Sequence, residues 1–233
     1  MKNELKTDAI VINRINYGEY DRIITFITRD YGKVKLIAKS VRKQKSKMSS
    51  YLDYFCETKI VYFKSIKNEI GRLKNVSKPI FFENIITDID RSNFGFKTMK
   101  IIDKAVETEE SDGYFNIIHT VMEGLGDLTI DPYLVSNWFY CHFLDYYGYS
   151  PNLMTEKNGE KLDIKKRYIF SFDDFSFKKS DSEDSMGANE IKFLRLIFSL
   201  NNLKMLNNIP NSKDISRKIH PIVETMFSNF NLV

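Results

Sequence analysis

The run Ile23-Ile24-Thr25-Phe26-Ile27-Thr28-Arg29-Asp30-Tyr31-Gly32-Lys33-Val34-Lys35-Leu36-Ile37-Ala38-Lys39 decides the fold. Its first six residues are β-branched or aromatic, and the run is too short and too branched to make a comfortable helix. Asp30-Tyr31-Gly32 is a turn signal. Beyond it the chain alternates: Val34, Leu36 and Ala38 point one way, while Lys33, Lys35 and Lys39 point the other. The stretch therefore reads as two strands joined by a turn, the second with one apolar and one cationic face.

Similar strands flank this pair. Ile10-Val11-Ile12 precedes it, and Thr58–Lys64 and Ile70–Val76 follow, with turn signals at Tyr17-Gly18 and Lys67-Asn68. Five short strands with no long helix between them fit a small closed barrel. The OB fold is the commonest five-stranded solution; an SH3-like barrel has a similar strand count, and pattern alone does not separate the two.

From about Pro79 the period becomes helical. Met99, Ile102 and Val106 recur at helical spacing, as do Phe115, Ile118, Met122 and Leu125. Asp131-Pro132 gives an N-cap followed by proline at the first helical position, opening a helix that should stop at Gly148. Further helices are expected near 190–200 and 212–229, with Pro221 kinking or splitting the last. Residues 152–187 are polar apart from an alternation at Tyr168, Phe170 and Phe172 that suggests a small hairpin. The expectation is thus an α+β protein. An N-terminal five-stranded OB-fold β-barrel over 1–79 precedes a mainly helical domain over 80–233, with a small irregular insertion at about 152–187.

With 42% apolar and 14% aromatic residues the chain can pack a core, which argues against global disorder. No stretch approaches the roughly 18 apolar residues of a membrane span, and the N-terminus lacks the apolar centre of a secretory signal. A soluble cytoplasmic protein is expected. Cys56 and Cys141 are far apart and form no CxxC pair, so they read as buried reduced thiols. His119, His142 and His220 lie at no ligand spacing, and no metal is expected.

Charge divides the chain. Residues 1–80 carry 18 Lys/Arg and 8 Asp/Glu, a net +10, while residues 81–233 carry 17 and 23, a net −6. A polyanionic partner for the first half follows. The densest basic run holds Lys33, Lys35, Lys39, Arg42, Lys43, Lys45 and Lys47, with no acidic residue until Asp53. A one-sided row of lysines followed by a basic loop is suited to tracking phosphates. Arg14, Arg22 and Arg29 are secondary candidates. Tyr17, Tyr20, Phe26, Tyr31, Tyr51 and Tyr54 offer faces for unpaired bases, although at least half of them should be barrel core.

Sequence signatures of catalysis are absent: there is no phosphate-cradling glycine loop, GxSxG or HExxH. The carboxylates Asp173-Asp174 and Asp181, Glu183 and Asp184 sit in the least structured-looking segment, which weakens a nuclease reading. Neither enzymatic activity, a cofactor nor a small-molecule substrate is expected. An RNA-binding OB protein of translation or ribosome function is the main alternative to a DNA-binding one.

Three segments carry a family resemblance. Tyr17-Gly18-Glu19-Tyr20-Asp21 through Gly32-Lys33, then Ala38-Lys39-Ser40-Val41-Arg42-Lys43-Gln44-Lys45-Ser46-Lys47, then Tyr147-Gly148-Tyr149-Ser150-Pro151-Asn152-Leu153 resemble, in order and spacing, segments of the RecO family of bacterial recombination mediators. That resemblance implies an OB fold, a helical body and no catalysis. It also implies binding to single- and double-stranded DNA, annealing of complementary strands, and work with RecR and single-stranded-DNA-binding protein in loading the RecA recombinase. Two departures stand out. Many relatives carry four cysteines as a zinc site after the third segment, and residues 154–187 have none here. The usual glycine after Ala-Lys is Ser40.

Overall fold

The structure is a computed structural model that describes residues 3–44, 46, 48–65, 68–107 and 113–230. Five strands close a barrel: β1 (Asn3–Tyr17), β2 (Asp21–Thr28), β3 (Gly32–Ala38), β4 (Cys56–Ser65) and β5 (Asn68–Phe81). Their order around it is β1-β2-β3-β5-β4, with β1 and β4 paired antiparallel. β3 runs parallel to β5, pairing Lys35 with Ile70 and Ile37 with Arg72. That crossing of β4 to reach β5 is the Greek-key closure of an OB fold, and it settles the choice that strand count leaves open.

The inward rows of the strands fill the barrel. Ala9, Val11, Ile24, Phe26, Val34, Leu36, Ala38, Ile60, Tyr62, Leu73 and Val76 make one apolar cluster. Val41 and Leu52, from the loop between β3 and β4, join it and anchor that loop to the core. Burying each such large side chain contributes on the order of 2 kcal/mol.

β5 runs past Pro79 to Phe81, beyond where the helical period was expected to begin. Two residues, Lys78 and Pro79, stand opposite the single Thr58, and Lys78 takes a left-handed φ of 53°. This bulge takes the proline, which has no amide hydrogen to donate, out of the ladder.

Backbone contacts divide the chain between Asp127 and Leu128. The first unit contains the barrel, α1 (Ile89–Ala105) and α2 (Tyr114–Gly126). α1 approaches closely through Gly95, where an added Cβ would lie 2.5 Å from the Phe55 ring. Arg91 ties the two helices together, its Nη1 donating to the carbonyls of Leu125 (2.8 Å) and Asp127 (3.0 Å). Glu57 of β4 holds His119 of α2, Oε2 to Nδ1 at 2.7 Å.

The second unit contains α3 (Pro132–Tyr146), the hairpin β6 (Tyr168–Ser171) and β7 (Ser176–Lys179), α4 (Ala188–Ser199), α5 (Leu203–Asn207) and α6 (Ser212–Ser228). Asp131 caps α3 by accepting from the Tyr133 amide at 3.0 Å, as its sequence signature requires. α6 is continuous through Pro221 and is not split. Its apolar stripe of Ile219, Val223, Met226 and Phe227 is buried on both sides of the proline, with Phe227 against Tyr140 and Phe143 of α3. Packing of both halves on one helix outweighs the one lost backbone bond. The hairpin expected at Tyr168–Phe172 forms, and Asp174 at its turn is paired with Lys157 and Lys178, which hold its carboxyl down at about 2. Among the described residues no helix is long and apolar enough to cross a membrane.

Candidate nucleic-acid interface

One irregularity in β1 redirects the side chains that follow it. Val11 pairs with Phe26 and Asn13 with Thr25, so Ile12 is an extra residue in the ladder. A strand presents alternate residues to each face, so one inserted residue reverses the facing of everything after it. Arg14 therefore pairs with Ile24 and points to the barrel's inner side, while Ile15 pairs with Ile23 and points outward. On β2, Arg22 lies two residues before Ile24 in the same inward row. Both arginines extend inward rows past the last buried apolar residue and so emerge at the mouth of the barrel.

A second cation source is pinned beside them. Ser40 adopts a left-handed φ of 58°, and its amide donates to Asp21 Oδ1 at 2.7 Å. The turn brings Arg42 over the β1–β2 connection, where its amide donates to the Tyr20 carbonyl (3.0 Å) and its Nη1 to the Gly18 carbonyl (3.3 Å). Lys43 Nζ stands 5.2 Å from the centre of the Tyr20 ring. Tyr17 and Tyr20 are exposed. Partial burial, and then the positive charges of Arg14 and Arg42, pull the Arg22 guanidinium below its ordinary range, while Asp53 pushes the other way. Arg14, Arg22, Arg42 and Asp53 thus share one electrostatic neighbourhood.

The outer face of the barrel carries the next cations. Lys35 is exposed opposite Thr25 and Ile70, and Arg72 is exposed opposite Ile37. Exposed Ile15 and Ile70 and half-buried Ile23 and Ile37 lie on the same face. Arg72 was missed in the sequence reading. Its signal was the alternation Ile70, Arg72, Lys74 against Gly71 and Leu73, which marks it as outward-facing once that stretch is a strand.

Two expected site residues are placed elsewhere. Lys33 is 9% exposed and bonded to the end of α1, so its charge is spent inside the first unit. Arg29 pairs with Asp8 at 3.5 Å and lies 4.2 Å over the Phe115 ring of α2. Lys39 is exposed just after β3. Lys45 and Lys47 lie outside the described residues. Among the candidate aromatics, Phe26 is core and Tyr31 packs edge-on against Tyr62, whereas Tyr54 lies under Arg14. Among the described residues no group of three or more His, Cys, Asp or Glu comes together to hold a metal ion.

Comparison with known proteins adds a likeness. Residues 1–78 match the family model described as "Recombination protein O N terminal". The match covers the first 78 residues, almost the whole barrel. The chain is similar to the RecO family in this barrel. Over its length it is 29% identical to the DNA repair protein RecO of Dehalococcoides mccartyi across 217 residues, covering 90% of this chain and 81% of that one. The DNA repair protein RecO of Listeria monocytogenes serotype 4b is 25% identical across 242 residues, covering 97% and 89%. That of Roseiflexus is 30% identical across 158 residues, covering 64% and 51%. The RecO resemblance of the three motifs is thereby matched along most of the chain.

Proposed function

We propose that this chain is a protein of the RecO family and serves in DNA repair by binding DNA at the barrel mouth and the adjoining outer face. It would anneal complementary single strands there and assist loading of the RecA recombinase. RecR and single-stranded-DNA-binding protein are the partners that the family resemblance implies. The observation that carries the reading is the pinning of Arg42 and Lys43 beside exposed Tyr17 and Tyr20 on a barrel of the RecO type. Strand–strand repulsion is the main obstacle to annealing. A protein surface that neutralises phosphates on two strands at once lowers that barrier without a covalent step. Tyrosines at the same edge provide faces for bases not yet paired.

The test is fluorescence anisotropy of labelled single-stranded DNA, duplex DNA and RNA titrated with the full chain across a salt series. For single strands, log K should fall with log salt at a slope of about −0.7 per phosphate contacted. Reversing charge at Arg42, Lys43 and Lys45 together should weaken binding strongly while leaving the melting temperature unchanged. Unchanged affinity in that variant would remove the loop from the interface. No binding even at low salt would remove the nucleic-acid reading, and a clear preference for RNA would favour a translation-linked role. Strand annealing is read separately, from the rate at which two complementary labelled strands pair.

A further inference from the structure

Three arginines from three separate elements lie at this end of the barrel: Arg14 from β1, Arg22 from β2 and Arg42 from the loop after β3, which is bonded to the β1–β2 connection. Each is fixed by its own geometry. The β1 bulge turns Arg14 inward, Arg22 Nε donates to Asn16 Oδ1 at 3.4 Å, and Arg42 is bonded to Gly18. Gathering like charges costs free energy unless an anion lies among them. Asp53 supplies one, with Oδ1 2.7 Å from Arg14 Nη1. Its side chain is 49% exposed against 26% for Arg14, so the anion sits on the solvent side of the cations. A carboxylate–guanidinium pair at a solvent-facing edge contributes little, and a phosphate diester oxygen can take the place of the carboxylate on the guanidinium.

We propose that Arg14, Arg22 and Arg42 form a site for one backbone phosphate of a nucleic-acid strand, which the Asp53 carboxylate fills when no strand is bound. The proposal rests on the DNA-binding reading above and adds to it a defined subsite and a resident competitor. A strand entering the mouth exchanges one Asp53 contact for one phosphate contact, so Asp53 lowers affinity there. Tyr54, whose ring lies 4.7 Å from the Arg14 guanidinium, holds that side chain in place during the exchange.

The experiment uses the full chain with Asp53→Asn, which keeps an oxygen to accept from the Tyr54 amide now bonded to Asp53 Oδ1 at 2.8 Å. Affinity for a labelled oligothymidylate is measured across a salt series for wild type, Asp53→Asn, Arg14→Gln and the double variant. Asp53→Asn should bind about five-fold tighter at 0.1 M salt, with a slope steeper by about 0.7, because no displaced carboxylate is left to take back one of the released cations. Arg14→Gln should weaken binding in both backgrounds, and more in Asp53→Asn, so that the gain from Asp53→Asn is lost without Arg14. Equal affinity of wild type and Asp53→Asn, both binding with a normal salt slope, overturns the phosphate site and leaves the DNA-binding reading standing. Failure of both to bind at low salt overturns both. Should Asp53→Asn melt early, Asp53→Ser gives the same comparison.

Discussion

Lys33 of β3 and Asp103 of α1 form an ion pair at 2.9 Å, and the same ammonium donates to the carbonyls of Asp103 and Val106 at the end of the helix. Asp103 in turn accepts from Asn13 of β1 at 2.9 Å. A cation at a helix C-terminus is favoured by the unpaired carbonyls gathered there. Lys33 therefore fastens α1 to the outer side of the barrel.

Removing one partner of a mostly buried pair leaves the other uncompensated, so Lys33→Ala should lower unfolding free energy on the order of 3 kcal/mol. Its DNA affinity, measured where the variant is folded, should match the wild type with an unchanged salt slope. Lys35→Ala should do the reverse, keeping stability and flattening the slope by about 0.7 for single strands. Chemical denaturation together with the anisotropy series decides between these outcomes.

Ser40 holds a left-handed backbone that carries a steric cost for any residue with a Cβ. Ser40→Gly should stabilise the chain by about 1 kcal/mol and raise the melting temperature by about 2–4 °C. The amide bond to Asp21 is kept by either residue. A fall in melting temperature would mean that the serine side chain makes a contact outweighing its backbone strain.

His119 should make stability depend on pH. Its hydrogen bond to Glu57, reinforced by the charges of Glu57 and Glu123, raises its pKa above the ordinary 6.5 against the opposing effect of burial. The folded state then holds the proton more tightly than the unfolded one. The stabilisation is complete below pH 6.5 and is lost as the pH rises through the raised value. His142 acts in the opposite sense, because burial lowers its pKa and its contribution fades as pH falls. The informative quantity is the stability difference between wild type and His119→Gln, which should shrink from pH 5.5 to pH 8.5. A difference that stays flat would contradict the assignment.

The two thiols should be unreactive in the folded protein. Burial pushes Cys56 up to about 12, and pushes the fully buried Cys141 well above its usual value. Only the thiolate reacts appreciably. A thiol reagent at pH 8 should label neither residue until denaturant is added, and labelling at the rate of a free cysteine would show that the core opens.

Much of the barrel was legible because its strands alternate. Val34, Leu36 and Ala38 are buried where the period-two pattern places them, and the α3 cap at Asp131 follows from side-chain chemistry three residues long. The ends of elements were less legible. Pro79 reads as a boundary because it cannot donate a bond, yet the Lys78 bulge carries β5 through it. Pro221 reads as a break, yet buried residues on both sides hold α6 together. Local rules name the cost of a proline, while the gain that offsets it comes from distant partners.

The site divides in the same way. Composition and order by themselves determined that the first half is a polycation, that its strands have a cationic side, and that its motifs resemble the RecO family. Charge and hydrophobic period are properties of near neighbours in the chain, so they can be read without coordinates. Only the tertiary structure decided which cations are available. Lys33 and Lys35 look alike in sequence, but a helix 70 residues away covers the first and leaves the second in water. A single inserted residue in β1 turned Arg14 into the barrel mouth beside Arg22 and Arg42, and the loop after β3 set Asp53 against it. Facing and pairing depend on register and on long-range packing, and those are fixed only when the barrel closes.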